Sequence, residues 1–179
     1  MSKVQPIIEK LRESQRQLLS VADAVCPEYW QTPPGEGRWC AGQLVAHLVL
    51  VERVVLSSAD RISQKEPKHW PFYRRFHVPF TVVENRWLRR KSPPAVAPTE
   101  ITGKEDMLAE LREVRERTLA FLDETKARDL SSYRWRHPFL GTLSLYDWLS
   151  FVASHEIRHT KQMREIAASL PKSVATLHN

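Results

Sequence analysis

His155 and His159 stand four residues apart in the stretch SHEIRHTKQ, and with Glu156 they spell H-E-x-x-H. On an α-helix, residues i and i+4 lie one above the other, so two imidazoles at this spacing direct nitrogens at one point, as a divalent transition metal requires. The signature is that of zinc proteases, in which a third ligand follows downstream and the Glu serves as base. Only 20 residues follow His159. Glu165, six residues on, continues along the same helix surface without a glycine turn, and Glu156 lies ~100° off the histidine face. The protease reading is therefore disfavoured, and Glu156 is expected in a surface ion pair with Arg158, Lys161 or an adjacent helix.

A third imidazole is available upstream. His47 lies on an apolar helix face with Leu44, Leu48, Val51 and Val54 around it. Ligands from separate helices can converge in a bundle core, and three imidazoles leave a coordination position open, the pattern of a catalytic rather than a structural metal site. A core histidine satisfied by a hydrogen bond is the competing reading of His47 alone. At the open position a divalent ion lowers the pKa of water from about 15.7 to near 7, or holds a thiol as its thiolate. Gln162 shares the histidine face as a candidate partner for a bound ligand or for a group behind the site, with helix packing as the alternative. His137, in RHPFLG, is a candidate for proton transfer at the mouth, against a plain loop histidine.

Four helices account for most of the chain and must position these residues. Apolar residues recurring with a 3.6-residue period predict helices over 4–25, 40–62, 102–126 and 144–170. The third is expected to open with a Thr102/Glu105 capping box, and the fourth with Ser144 as cap and Asp147 at the positive end of the dipole. Along the fourth, Trp148, Phe151, Val152, His155, His159, Gln162, Met163 and Ile166 share one face. No strand is needed. The expected architecture is all-α, a single domain over 1–179 built as a four-helix bundle, with a long crossover over 63–101 between helices two and three.

Composition narrows the classes. Hydrophobic residues make up 42% of 179, enough for a buried core, and two cysteines, Cys26 and Cys40, exclude a disulfide framework or a thiolate-rich zinc site. The start lacks the apolar stretch of a secretory signal, and no run of 18 uninterrupted apolar residues occurs, so a cytoplasmic protein with no membrane association is expected. The net charge of +6 is concentrated in residues 61–91, where nine basic residues face two acidic ones. A connection this long is more often functional than idle. It suits a lid in which Arg74, Arg75 and Arg86 clamp an anionic substrate. Alternatively it suits a nucleic-acid surface, with Trp70, Tyr73, Phe76 and Trp87 offering stacking, although no reader motif is matched.

Two stretches together resemble the DinB/YfiT-like superfamily of metal-dependent enzymes. RWCAGQLVAHLVLVERV matches its pattern of Trp, helix cap and buried His followed five residues later by Glu; WRHPFLGTLSLYDWLSFVASHEIRHTKQM matches its His-Pro, Gly, His-x3-His and Gln pattern. The resemblance covers nearly the whole chain. It implies a four-helix bundle with one zinc, nickel or similar ion, iron and manganese being further candidates, on histidines that map onto His47, His155 and His159. It also implies a homodimer, and a hydrolase or a transferase that uses a low-molecular-weight thiol on a small-molecule substrate. A non-catalytic, metal-stabilised interaction module is the alternative, which the open coordination position disfavours. Cys40 departs from the family's usual Ser or Thr cap. A thiol is a poor cap, and a helix N-terminus favours its thiolate, so a reactive Cys40 is weighed against a small apolar substitution.

Overall fold

The computed structural model describes residues 3–67, 70–71, 77–85, 96–98 and 100–171. Helices α1 (Gln5–Asp23), α2 (Ala41–Ser63), α4 (Lys104–Glu124) and α5 (Leu145–Ser169) form the bundle, and the short α3 (Phe80–Glu84) lies in the crossover. α1 packs chiefly on α5 and α2 chiefly on α4, while α2 and α5 meet across the middle. The bundle is therefore two helix pairs joined face to face.

Each helix follows its apolar phase. On α1 the buried positions are Ile7, Leu11, Ser14, Leu18 and Ala22, a 3.6-residue repeat with one hydroxyl in it. α2 is buried on nearly every side from Ala41 to Val49 and becomes one-sided beyond, where Val55 and Ala59 face inward. Val54, expected beside His47, is instead 50% exposed, because it falls off the inward phase of that second half. α2 has the length and hydropathy of a membrane-spanning helix, yet most of its surface is covered inside the bundle and it carries His47 and Glu52 there. Gly42 permits its entry: a Cβ would lie 2.4 Å from Ile101 Cγ2 and 3.0 Å from Trp30 Nε1.

Cys40 caps α2 in practice. Its sulfur accepts from the Gln43 N–H at 3.4 Å while Gln43 Oε1 accepts from the Cys40 N–H, and the thiol is buried. The Ser144/Asp147 box at the start of α5 forms as expected. The Thr102/Glu105 box does not: the N-cap of α4 is Gly103, with no side-chain cap. Here the entry is set by tertiary contact, since Lys104 Nζ donates to the carbonyls of Asp23 and Val25 at the end of α1. Glu105 and Asp106 in the first turn still complement the helix dipole.

The expectation of no strands is corrected by a hairpin, β1 (Arg134–His137) and β2 (Gly141–Ser144), antiparallel with His137 opposite Gly141. Gly141 takes φ +93° to close the turn, a conformation open to glycine. The hairpin is held by α5: Trp148 Nε1 donates to the Trp135 carbonyl, and Leu145 N–H to that of Tyr133. The crossover is gripped at α3. Glu84 Oε1 accepts from Lys10 Nζ and Ser154 Oγ, both at 2.9 Å, and Lys161 Nζ donates to the Glu84 carbonyl at 2.8 Å. Arg158 donates to the carbonyls of Val83 and Asn85.

Candidate metal centre

α2 brings His47, and successive turns of α5 bring His155 and His159, to one point between the two helix pairs. Their potential ligand atoms all lie within 4.8 Å of one another. His155 Nε2 is 3.2 Å from His159 Nε2 and 3.4 Å from His47 Nε2. His47 and His159 are buried and His155 is partly exposed, so the cluster has one open side.

Two of the rings are oriented from behind. His47 Nδ1 lies 2.7 Å from the Val96 carbonyl, which can only accept, so that nitrogen carries the proton and Nε2 presents a lone pair. His159 Nδ1 lies 3.1 Å from Gln162 Oε1, an arrangement that assigns the same tautomer. Phe151 stacks on His155 at 5.2 Å, and Trp39 lies 5.0 Å from His47. One proton on His155 is then the most that three converging Nε2 atoms can share. A divalent cation instead satisfies all three, and an all-imidazole donor set suits a transition-metal ion.

Burial keeps the site in the form a metal needs. Desolvation pushes His155 well below the usual imidazole range, helped by the neighbouring His159 and His47. His47 is lowered by burial too, partly opposed by its bond to Val96. Neutral imidazoles are the ligating form.

The other candidates fall in different places. Gln162 lies behind His159, with its Oε1 3.1 Å from His159 Nδ1. His137 stands on β1, not in a loop, and its Nδ1 accepts from the N–H groups of Phe139 (3.1 Å) and Leu140 (3.2 Å). That leaves Nε2–H as its remaining group, and burial lowers its pKa to about 4. Its ring meets Phe151 at 4.7 Å, so it approaches His155 through one aromatic ring. Arg74, Arg75 and Arg86 lie outside the described residues, as do Tyr73, Phe76 and Trp87. Glu165 is an exposed residue 3.8 Å from Arg38 and no part of the site.

Glu156 is the correction with most consequence. It is not on the surface but 1% exposed, and its partner on an adjacent helix is Arg115 of α4 at 3.0 Å. Arg115 also forks onto Glu52 of α2, with Nε–Oε1 at 2.8 Å and Nη2–Oε2 at 3.0 Å. Ser14 Oγ donates to Glu156 at 2.5 Å. Arg115 and Ser14 were legible only as polar residues in apolar phase, as in Leu108-Leu111-Arg115-Thr118-Leu122 on α4, and Glu52 only as the Glu of the family pattern, with no partner attached to it.

The chain is thus a four-helix bundle with two histidines four apart on its last helix and a third on its second, close enough together to hold one metal ion. The chain belongs to the DinB superfamily, whose model matches residues 10–163. It is 27% identical over 142 residues to the uncharacterized protein YuaE of Bacillus subtilis, covering 78% of this chain and 84% of that one. Its fold is that of YfiT from Bacillus subtilis, described as a probable metal-dependent hydrolase with an unusual four-helix bundle topology. The two superpose with a TM-score of 0.61 at 16% identity, over 92% of this chain and 86% of the other.

Proposed function

We propose that the protein is a metal-dependent enzyme, a hydrolase or a transferase of low-molecular-weight thiols, with a divalent ion, zinc or nickel first, held by His47, His155 and His159. The observation that carries this reading is the convergence of three Nε2 atoms, two of them fixed as lone-pair donors by Val96 and Gln162. A divalent ion there supplies Lewis acidity, which brings the pKa of water from about 15.7 to near 7 or holds a thiol as thiolate.

The chain's own residues do the rest. Val96 and Gln162 hold the ring planes, so little reorganisation is needed on binding. Phe151 and Trp39 shield the flanks of His155 and His47 from water. His137, neutral near pH 7 with Nδ1 occupied by the turn, offers a donor at Nε2 and no base. The substrate is a small molecule that approaches on the exposed side of His155, and the basic crossover favours an anionic one.

The test is metal analysis of protein purified without a nickel column, beside its His155→Ala variant. About one equivalent of metal in the parent and almost none in the variant is expected. Equal metal content in both defeats the three-histidine site.

A further inference from the structure

The ligands come from different helix pairs: His47 from α2, which leans on α4, and His155 and His159 from α5, which leans on α1. Their convergence therefore depends on how one pair is set against the other. Apolar contact between the pairs is not directional and tolerates small slides. A fork of hydrogen bonds tolerates much less.

Among the described residues the fully buried ion pairs all run through Arg115. Its guanidinium leaves α4 and reaches every other helix of the bundle. Nε and Nη2 fork onto Glu52 of α2, Nη2 also reaches Glu156 of α5, and Nη1 donates to the Leu11 carbonyl of α1. The two carboxylates sit beside the ligands, Glu52 five residues after His47 and Glu156 next to His155. Ser14 of α1 holds Glu156 from the far side. Glu156 Oε1 is buried with no hydrogen-bond partner among the described residues, so Glu156 is held through Oε2 alone.

We infer that Arg115 is a positioning residue for the metal centre: by bridging Glu52 and Glu156 it sets the separation of α2 and α5 at which His47 meets His155 and His159. The inference rests on the three-histidine metal reading. Arg115 touches no ligand and acts only through the carboxylates beside them.

Arg115→Lys keeps the charge and loses the fork, since one ammonium cannot hold both oxygens of Glu52 while reaching Glu156 and Leu11. Cobalt(II) affinity of metal-stripped protein, measured by competition with a chromophoric chelator, is expected to fall about 10- to 100-fold, the range for groups behind a ligand. The visible cobalt bands are expected to weaken as one imidazole drops out. The control is Leu122→Ala, a buried change on the same helix, which should lower thermal stability while leaving affinity and spectrum near the parent's. Should Arg115→Lys not fold, Glu52→Gln, which loosens the α2 end of the bridge, is read the same way. A folded bridge variant within twofold of the parent overturns the inference, as does an equal loss in Leu122→Ala. Absence of cobalt binding in the parent itself overturns the metal reading and this inference with it.

Discussion

Two buried polar clusters lie side by side in this bundle, and they are opposites. Around Arg115 a guanidinium meets two carboxylates and a carbonyl, and it stays charged: burial alone would lower its pKa, but Glu156 and Glu52 raise it. Around His155 three nitrogens of one kind face each other with at most one proton among them. The first cluster pairs opposite charges within the protein, with only Glu156 Oε1 left without a partner among the described residues, and it contributes to the fold. The second brings together three nitrogens that could hold a metal ion, and on the proposed reading it is where the molecule gives up stability for chemistry.

The sharpest way to break the comparison is Arg115→Met. Two carboxylates would be left buried without their partner, a loss of about 3–5 kcal/mol, to be read by denaturant unfolding of metal-free protein. A loss under about 1 kcal/mol would mean the ion-pair cluster is no part of the fold's foundation.

Acid tests the histidine side. His137 is pushed down from the usual 6.5 to about 4 by burial, so between those values the unfolded chain binds a proton that the folded chain refuses. Stability contributed by His137 is full above pH 6.5 and is lost as pH falls toward 4, on the order of 2 kcal/mol after allowing for partial screening. Thermal melts of metal-free protein across this window are expected to lose part of their pH-dependence in His137→Gln, the remainder coming from the other histidines that burial lowers, His47 and His155.

Removing the support behind a ligand is milder. Gln162→Leu removes the acceptor at His159 Nδ1 and should weaken cobalt or zinc binding about tenfold without altering the unfolding midpoint of the metal-free protein. The smallest effect has the opposite sign. With metal removed, His155→Phe replaces a crowded imidazole by a ring that can still stack on Phe151, and the melting temperature is expected to rise by a few degrees, about 1 kcal/mol. If His155→Phe instead destabilises the metal-free protein as strongly as Arg115→Met, the contrast between the clusters fails.

Most of the architecture was readable in advance because the helices are long and periodic: Ile7, Leu11, Leu18 and Ala22 announce α1, and Ser144 with Asp147 announces α5. The three histidines were readable too, since each interrupts an apolar face. What escaped has a common physical cause. Arg115 and Glu156 turn inward, but a charge reads as solvent-facing until its partner on another helix is known, and neither Ser14 nor the Glu52 of the family pattern shows in sequence what it binds. The hairpin escaped because RWRH and GTLS are short and carry no apolar alternation; docking on Trp148 and Leu145 makes them strands. The start of α4 moved because Lys104 answers to α1 rather than to its own helix.

The hydrogen bond from His47 to Val96 also closes a ring in the chain. The two residues are 49 apart in sequence, and α2 stiffens only the first part of that span. Closing a loop becomes cheaper by about 0.6 kcal/mol each time its length is halved. The anchorage of Glu84 on Lys10 and Ser154 divides the crossover near its middle. An ammonium on the first helix thus reduces the entropy lost when a carbonyl is brought behind a ligand on the second. Shortening the connection, lengthening it, or freeing its midpoint with Lys10→Ala would then change metal affinity by a small factor without touching any group at the centre.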